Sequence, residues 1–119
     1  MKKVTLYQYS KCGTCRQTAK ALKENGYTID AVEIFEQPPD ARTLSELIRK
    51  SGLPVQKFFN TSGDVYRQMS LKDQVGSMSD EAKIALLSSN GRLIKRPIVT
   101  DGETVTVGYK EEEFKQIWS

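Results

Sequence analysis

The sequence predicts an α/β fold in which two short β-containing halves share one small sheet and are separated by a run of helices. Two observations predict it: a strand–helix–strand pattern near the N-terminus, and a hairpin followed by a helix near the C-terminus. The 119 residues suit one domain. We expect residues 1–119 to form a single domain with residues 40–90 as a helical insertion.

The N-terminal half has a β-α-β pattern. Its first strand is short and rich in β-forming residues. Cys15, Ala19 and Leu22 then fall on one face of a helix, which Asn25-Gly26 ends. Such a unit normally joins two parallel strands by a right-handed crossover. The predicted elements are a strand over 4–9, a helix over 13–25 and a strand over 27–35.

The middle of the chain is predicted to be helical. Asp40 is placed to cap a helix that buries Leu44, Leu47 and Ile48, and Gly52 with Pro54 stops it. Further short helices are predicted over 55–60 and 62–69. A last one, opened by Ser79-Asp80, is expected to bury Ile84, Leu87, Ala82 and Ala85.

The C-terminal half begins with a hairpin. Asp101-Gly102, between strands over 98–100 and 103–107, is the strongest short hairpin signal in the chain. A closing helix over 111–118 is expected to bury Phe114, Ile117 and Trp118. A β-α-β half and a β-β-α half that share a sheet form the thioredoxin-like (glutaredoxin-like) layout.

The amino-acid composition limits the kinds of catalytic, metal and binding site that the chain can form. The chain has two cysteines and no histidine, so an imidazole base, a Cys–His pair and a histidine-ligated metal are excluded, and we expect no metal site. The formal net charge is only +3 with scattered basic residues, which predicts no direct binding of nucleic acid. No apolar run is long enough for a membrane helix or a signal peptide. We expect a cytoplasmic monomer that binds no membrane.

Cys12-Gly13-Thr14-Cys15 lies where the first strand passes into the first helix. With this spacing Cys15 sits one turn beyond Cys12 and can expel a sulfur adduct from it as a disulfide. The pattern therefore favours Cys12 as nucleophile and Cys15 as resolving thiol. A pair of core cysteines, or half of a metal site, is the alternative, and the strand–helix junction disfavours both.

The helix N-terminus supplies the activation that histidine cannot. Unpaired N–H groups of Gly13, Thr14 and Cys15 would point at the Cys12 sulfur, and the helix dipole adds positive potential. Lys11 and Arg16 add formal charge, and Gly13 leaves the backbone donors unobstructed. The same group of donors can bind an oxyanion.

Arg96-Pro97 is the second candidate site, just before the late hairpin. In a thioredoxin-like layout a cis-proline at this point faces the cysteine pair. If Pro97 is cis, Arg96 can project toward Cys12 and bind an oxyanion or hold the thiolate. The alternative is a surface arginine before a turn proline.

These motifs together resemble the ArsC/Spx family, which includes arsenate reductases and the Spx-type regulators that bind RNA polymerase. The resemblance covers essentially the whole chain. It implies a thioredoxin-like fold with a helical insertion. The matching segments are Tyr9-Ser10-Lys11-Cys12-Gly13-Thr14-Cys15-Arg16, Pro38-Pro39, Arg96-Pro97-Ile98-Val99 and Val107-Gly108-Tyr109.

The arsenate-reductase branch implies a nucleophilic cysteine at Cys12 and three arginines around the oxyanion. Only Arg96 matches one of these arginines; the other two positions fall on Asn60 and Tyr109. The branch's usual serine is replaced by Cys15, so an arsenate adduct on Cys12 can collapse to an internal disulfide.

The Spx branch implies a cysteine pair, an Arg-Pro-Ile segment and a Val-Gly-Tyr segment followed by acidic residues, all of which are present. A glycine important to its polymerase contact resembles Gly52, although Ser51 and Leu53-Pro54 differ from its polar, acidic neighbours.

Two hypotheses follow. The first is a thiol–disulfide oxidoreductase resembling arsenate reductases, with no bound cofactor, acting on a small oxyanion or a disulfide. Its external reductant would be thioredoxin, or glutaredoxin with glutathione. The second is an Spx-like redox-sensing transcriptional regulator that binds the C-terminal domain of the RNA polymerase α subunit, with Cys12–Cys15 as its switch. We favour the first.

Overall fold

The computed structural model describes residues 2–61, 64–68 and 74–118. The chain divides into two compact units, Met1–Glu33 with Arg96–Ser119, and Ile34–Lys95. In chain order the described elements are β1 (Lys2–Gln8), α1 (Gly13–Glu24), β2 (Tyr27–Glu33), α2 (Ala41–Ser51), a 3₁₀ helix (Val55–Phe58), α3 (Asp64–Gln68), a 3₁₀ helix (Val75–Ser77), α4 (Asp80–Ser89), a 3₁₀ helix (Gly91–Leu93), β3 (Ile98–Thr100), β4 (Val105–Val107) and α5 (Glu111–Trp118).

The first unit is built on a four-stranded sheet with the order β2-β1-β3-β4. β1 pairs in parallel with β2 and antiparallel with β3, and β3 pairs antiparallel with β4. α1 connects the parallel pair, and α5 follows β4. This β-α-β and β-β-α arrangement confirms the predicted thioredoxin-like α/β fold.

The core of this unit fixes both helices on the sheet. It is formed by the buried side chains of Val4, Leu6, Leu22, Val99, Phe114 and Trp118. The indole Nε1 of Trp118 donates a hydrogen bond to Thr106 Oγ1 at 2.9 Å, which satisfies the polar atom of a side chain that is only 1% exposed. Asn25 Nδ2 donates to the Trp118 carbonyl at 3.0 Å, which ties the end of α1 to the end of α5.

Two C-terminal predictions are wrong in detail. The hairpin loop has four residues, because β4 begins at Val105 and Asp101 Oδ1 accepts hydrogen bonds from the N–H groups of Glu103 and Thr104 at 2.9 and 2.8 Å. Ile117 is 45% exposed, whereas Trp118 is buried. Phe114 and Trp118 lie four residues apart and share a face, and Ile117 falls beside that face.

The second unit is helical and has its own buried side chains. Asp40 caps α2 as predicted, since its Oδ1 accepts from the Thr43 N–H at 2.8 Å. Gly52 ends α2 with φ of 71°, in the left-handed region where glycine is favoured. The buried residues of this unit include Leu44, Leu47, Ile48, Val55, Phe58, Phe59, Leu87, Leu93 and Ile94.

The predicted buried face of α4 is partly wrong. Leu87 is buried and Ile84 is half-buried, but Ala82 and Ala85 are exposed, and Lys83 is only 7% exposed. A lysine can be covered in this way because its aliphatic stem packs while its amine reaches outward, here to Asp80 at 3.9 Å. The ends of the helix predicted over 62–69 lie outside the described residues.

Gly91 is required by packing. A Cβ added to it would overlap the carbonyl oxygen of Ile34. Asn90-Gly91 follows the end of α4, and the closeness of the Ile34 backbone supplies a further reason for glycine at position 91.

Candidate active site

The loop between β1 and α1 carries Cys12 to the start of the helix. Cys12 is the residue that precedes α1, with extended φ and ψ of −84° and 123°. Its N–H donates to the Tyr9 carbonyl at 2.9 Å, and its carbonyl accepts from the Arg16 N–H at 3.1 Å as the first bond of the helix. The sulfur of Cys12 is therefore at the N-terminal end of α1, where helix N–H groups have no partner within the helix.

The surroundings of Cys12 favour its thiolate. Partial burial alone would raise its pKa, but hydrogen bonds from the N–H and the thiol of Cys15, the charge of Arg96 and the N–H of Thr14 outweigh it. The pKa of Cys12 consequently lies below the ordinary value for a thiol. Cys12 is half-buried, so it remains accessible to a reactant.

Cys15 has the opposite character. It is 0% exposed and, like Cys12, is a free thiol. Burial raises its pKa to about 11, and its hydrogen bond to Cys12 and the negative charge of Cys12 act in the same direction. The pair therefore consists of an accessible thiol whose ionisation is favoured and a buried thiol that stays protonated at neutral pH.

Arg96 lies close enough to the cysteine pair for its charge to lower the pKa of both thiols. The peptide bond between Arg96 and Pro97 is cis. The guanidinium carbon lies 5.6 Å from the centre of the Tyr9 ring, and the Nε and Nη1 atoms are shielded from solvent. No sequence motif indicated this contact between Arg96 and Tyr9.

Ser10 is held on both sides of its backbone by charged side chains. Its N–H donates to Glu33 Oε1 at 2.9 Å, and its carbonyl accepts from Arg16 Nε at 3.0 Å. The hydrogen bond from the Ser10 backbone is also the main reason that the pKa of Glu33 is lowered. We name this arrangement of Glu33, Ser10 and Arg16 the Ser10 clamp. No sequence motif indicated Glu33, which lies 23 residues from Ser10.

The remaining predicted residues lie around the same loop. Lys11 and Thr14 are exposed, and the Thr14 carbonyl accepts from Thr18 Oγ1 at 2.9 Å. A Cβ at Gly13 would meet no atom within 4 Å, so packing does not require glycine there. Pro97 is buried, and its carbonyl accepts from the Gly108 N–H at 2.8 Å.

The two family positions occupied by Asn60 and Tyr109 have structural contacts of their own. The Tyr109 ring packs edge-on against Phe114, with ring centres 5.0 Å apart. The Asn60 N–H donates to the Leu93 carbonyl at 2.7 Å within the second unit.

Neither a metal cluster nor a membrane span is found in the described parts of the chain. Across residues 2–61, 64–68 and 74–118, no three Cys, Asp or Glu side chains are grouped so that they could hold a metal ion. Within the same ranges, no helix combines the length and the apolar character needed to cross a membrane.

Comparison with known proteins identifies relatives over nearly the full chain. The chain is 51% identical over 116 residues to the Bacillus subtilis protein YusI, covering 98% of each. It is 30% identical to an arsenate reductase of Yersinia enterocolitica, covering 83% of this chain and 69% of that protein. It is 25% identical to the global transcriptional regulator Spx 1 of Oceanobacillus iheyensis, covering 95% of this chain and 85% of the regulator.

Solved structures agree with these sequence relatives. An ArsC family related protein from Bacteroides fragilis superposes with a TM-score of 0.91 at 42% identity, covering 98% of this chain and 97% of that one. The ArsC family model matches residues 7–117, a range that includes the cysteine pair, Arg96 and all but the last residue of α5. On this evidence the chain belongs to the ArsC family.

Proposed function

We propose that the protein is a thiol–disulfide oxidoreductase in which Cys12 is the nucleophile and Cys15 the resolving thiol of a reversible disulfide. The observation that carries the proposal is the asymmetry of the pair. Cys12 is accessible at a helix N-terminus, whereas the buried Cys15 donates a hydrogen bond to it. Arginine, helix N–H groups and a neighbouring thiol thus perform the activation that a histidine performs elsewhere.

Arsenate is the candidate oxyanion substrate, because one relative of this chain is named an arsenate reductase. The Cys12 thiolate would attack arsenic and displace a hydroxyl group, which takes up a proton from solvent and leaves as water. Cys15 would then attack the Cys12 sulfur, losing its proton, and the S–As bond would break with its electron pair remaining on arsenic. Arsenate is reduced to arsenite by two electrons, and the two thiols are oxidised to one disulfide.

The charges in the site order these steps. The negative charge of the Cys12 thiolate contributes to the raised pKa of Cys15. When Cys12 forms an adduct, that charge is lost, while the positive charge of Arg96 remains. Cys15 therefore becomes easier to deprotonate only after Cys12 has reacted, which is when a resolving thiol is needed.

Arg96 and the helix N-terminus are the groups we assign to the oxyanion. Arg96 offers a guanidinium beside Cys12, and the N–H groups of Thr14 and Cys15 already point to its sulfur. Gly13 leaves their approach open, and the exposed Lys11 adds positive charge next to Cys12 in the chain. Arg16 Nε donates a hydrogen bond to the Ser10 carbonyl. We therefore assign Arg16 two roles: it holds the loop in place and it adds positive charge near Cys12.

The test is arsenate turnover coupled to a thiol reductant. Wild-type protein is expected to turn over with thioredoxin, or with glutaredoxin and glutathione, and to accumulate the Cys12–Cys15 disulfide when reductant is limiting. Cys12→Ser is expected to abolish turnover. Cys15→Ser is expected to stop thioredoxin-coupled turnover after a single adduct. Turnover by Cys12→Ser would remove the proposed nucleophile.

An Spx-like regulator is the second candidate. It is favoured by the Spx relative, which aligns over 95% of this chain, and by an exposed Gly52 at the end of α2. Gly52 also has a local reason, because its φ of 71° suits glycine. The discriminating experiment is a pull-down with the C-terminal domain of the RNA polymerase α subunit. Redox-dependent binding without turnover would place the regulator first.

A further inference from the structure

A groove of about 430 Å³ lies along α1, next to the loop that carries Cys12. This volume is many times the roughly 30 Å³ share of one water molecule and falls in the range of about 300–1,000 Å³ typical of pockets for larger ligands. A single oxyanion would leave most of it empty. The groove is lined by Gln8, Ser10, Arg16, Lys20 and Lys23, with Ala19 and Glu24.

The groove carries a net positive charge, and its long direction along α1 leads toward Cys12. It contains three cations and one carboxylate. At about 100° per residue, Arg16, Ala19 and Lys23 lie within about 40° of the direction of Cys12 around the helix axis, and Lys20 lies about 80° from it. The groove therefore forms a basic stripe that begins at Arg16, next to the loop that carries Cys12, and runs toward the C-terminal end of α1.

We propose that this groove docks an acidic segment of the dithiol protein that reduces the Cys12–Cys15 disulfide. The proposal rests on the function proposed above and adds the partner surface for its reductive half. Opposite charges at a docking surface mainly raise the rate of association, which is the step that limits a reductant present at low concentration.

The dimensions favour a protein over a small thiol such as glutathione. Lys23 lies eleven residues beyond Cys12, roughly 16 Å along the helix. A fully extended tripeptide thiol is only about 10 Å long, shorter than this span, whereas a protein that contacts Cys12 can also cover Lys20 and Lys23.

After docking, the two thiols of the partner supply the two electrons that reduce the Cys12–Cys15 disulfide. One partner thiolate attacks Cys12, because Cys15 is 0% exposed, and Cys15 leaves and takes up a proton. The second partner thiol then attacks the mixed disulfide. The partner becomes a disulfide, and Cys12 leaves as its thiolate. Two electrons pass from the partner to this protein.

The test compares two double variants that each remove two positive charges. Lys20→Gln with Lys23→Gln alters the groove. Lys110→Gln with Lys115→Gln alters two exposed lysines outside it and serves as the control. Each protein is first oxidised, and the Cys12–Cys15 disulfide is verified by mass spectrometry. Its reduction is then timed with dithiothreitol, with glutathione, with thioredoxin and with glutaredoxin, at low and high ionic strength.

The groove variant is expected to be reduced at least threefold more slowly by thioredoxin or glutaredoxin at low ionic strength, with the difference fading at high salt. Its reduction by dithiothreitol and the behaviour of the control variant should match wild type. An equal loss in the control, no loss in the groove variant, or a loss with glutathione alone would each overturn the proposal. The proposal would also be overturned if neither thioredoxin nor glutaredoxin reduced the wild-type disulfide faster than glutathione does. Failure of the disulfide to form before any reductant is added would instead refute the proposed function and, with it, this inference.

Discussion

Replacement of Arg96 by methionine should make Cys12 less reactive. The variant keeps a long side chain over Tyr9 but removes the charge that lowers the pKa of Cys12. Two unit charges about 4–6 Å apart near a protein surface interact by about 1–4 kcal/mol. Because Cys12 is partly exposed, solvent screening reduces this to about 0.5–1 kcal/mol. That corresponds to a two- to fivefold smaller fraction of thiolate at a pH below the pKa.

The assay is the pH dependence of alkylation by iodoacetamide. Cys15 is buried and has a pKa raised to about 11, so below pH 9 the measured rate reports Cys12. The profile of Arg96→Met should move to higher pH, and Arg96→Lys should recover most of the shift. Arg92→Met is the matched control, because it removes an arginine whose guanidinium carbon lies 4.7 Å from the centre of the Phe35 ring. An unmoved profile in Arg96→Met, or an equal shift in Arg92→Met, would refute the role assigned to Arg96.

Three further outcomes are expected. Glu33→Ala should loosen the Ser10 clamp and lower the alkylation rate of Cys12 at neutral pH. Glu33→Gln keeps an acceptor oxygen for the Ser10 N–H, so its rate should stay near that of wild type. Equal alkylation rates in the two variants would contradict the role of the clamp. Gly91→Ala should destabilise the protein by about 1–3 kcal/mol through overlap with the Ile34 carbonyl, measured by urea unfolding beside the control Gly76→Ala, where a Cβ would meet no atom within 4 Å. The buried Cys15 has a folded-state pKa raised from 9.0 to about 11, so its contribution to stability is complete below pH 9 and is lost as pH rises toward 11. Wild type should therefore lose more stability than Cys15→Ser over that window, and parallel curves would argue against the shift.

The order of the elements could be predicted from the sequence because its signals are local. Period-2 and period-3.6 patterns, Asp40 as a cap and glycine at helix ends all act within a few residues. The errors arose where two local signals compete. Asp101-Gly102 resembles a two-residue turn, yet the Asp101 carboxylate accepts two backbone N–H groups and extends the loop to four residues. The single-domain organisation with 40–90 as an insertion stays a prediction.

The candidate site could be predicted where a short motif or the thioredoxin-like layout brings groups together, as for Cys12 with Cys15 and for Arg96. Cys12 and Cys15 are three residues apart at a strand–helix junction, so their relation could be inferred from spacing. Glu33 reaches Ser10 because β2 lies parallel to β1, which no short motif records. The hydrogen bond from Arg16 to the Ser10 carbonyl could not be predicted either. The sequence shows the charge of Arg16 but not which atom Arg16 contacts.

The central claim is that Cys12 and Cys15 form a reversible disulfide. The most direct measurement is mass spectrometry of the whole protein and its peptides after mild oxidation with diamide, followed by reduction. The account predicts the loss of two hydrogen atoms, a single peptide linking Cys12 to Cys15, and full return of both thiols with dithiothreitol. Two free thiols after oxidation, or a disulfide only between separate chains, would contradict it.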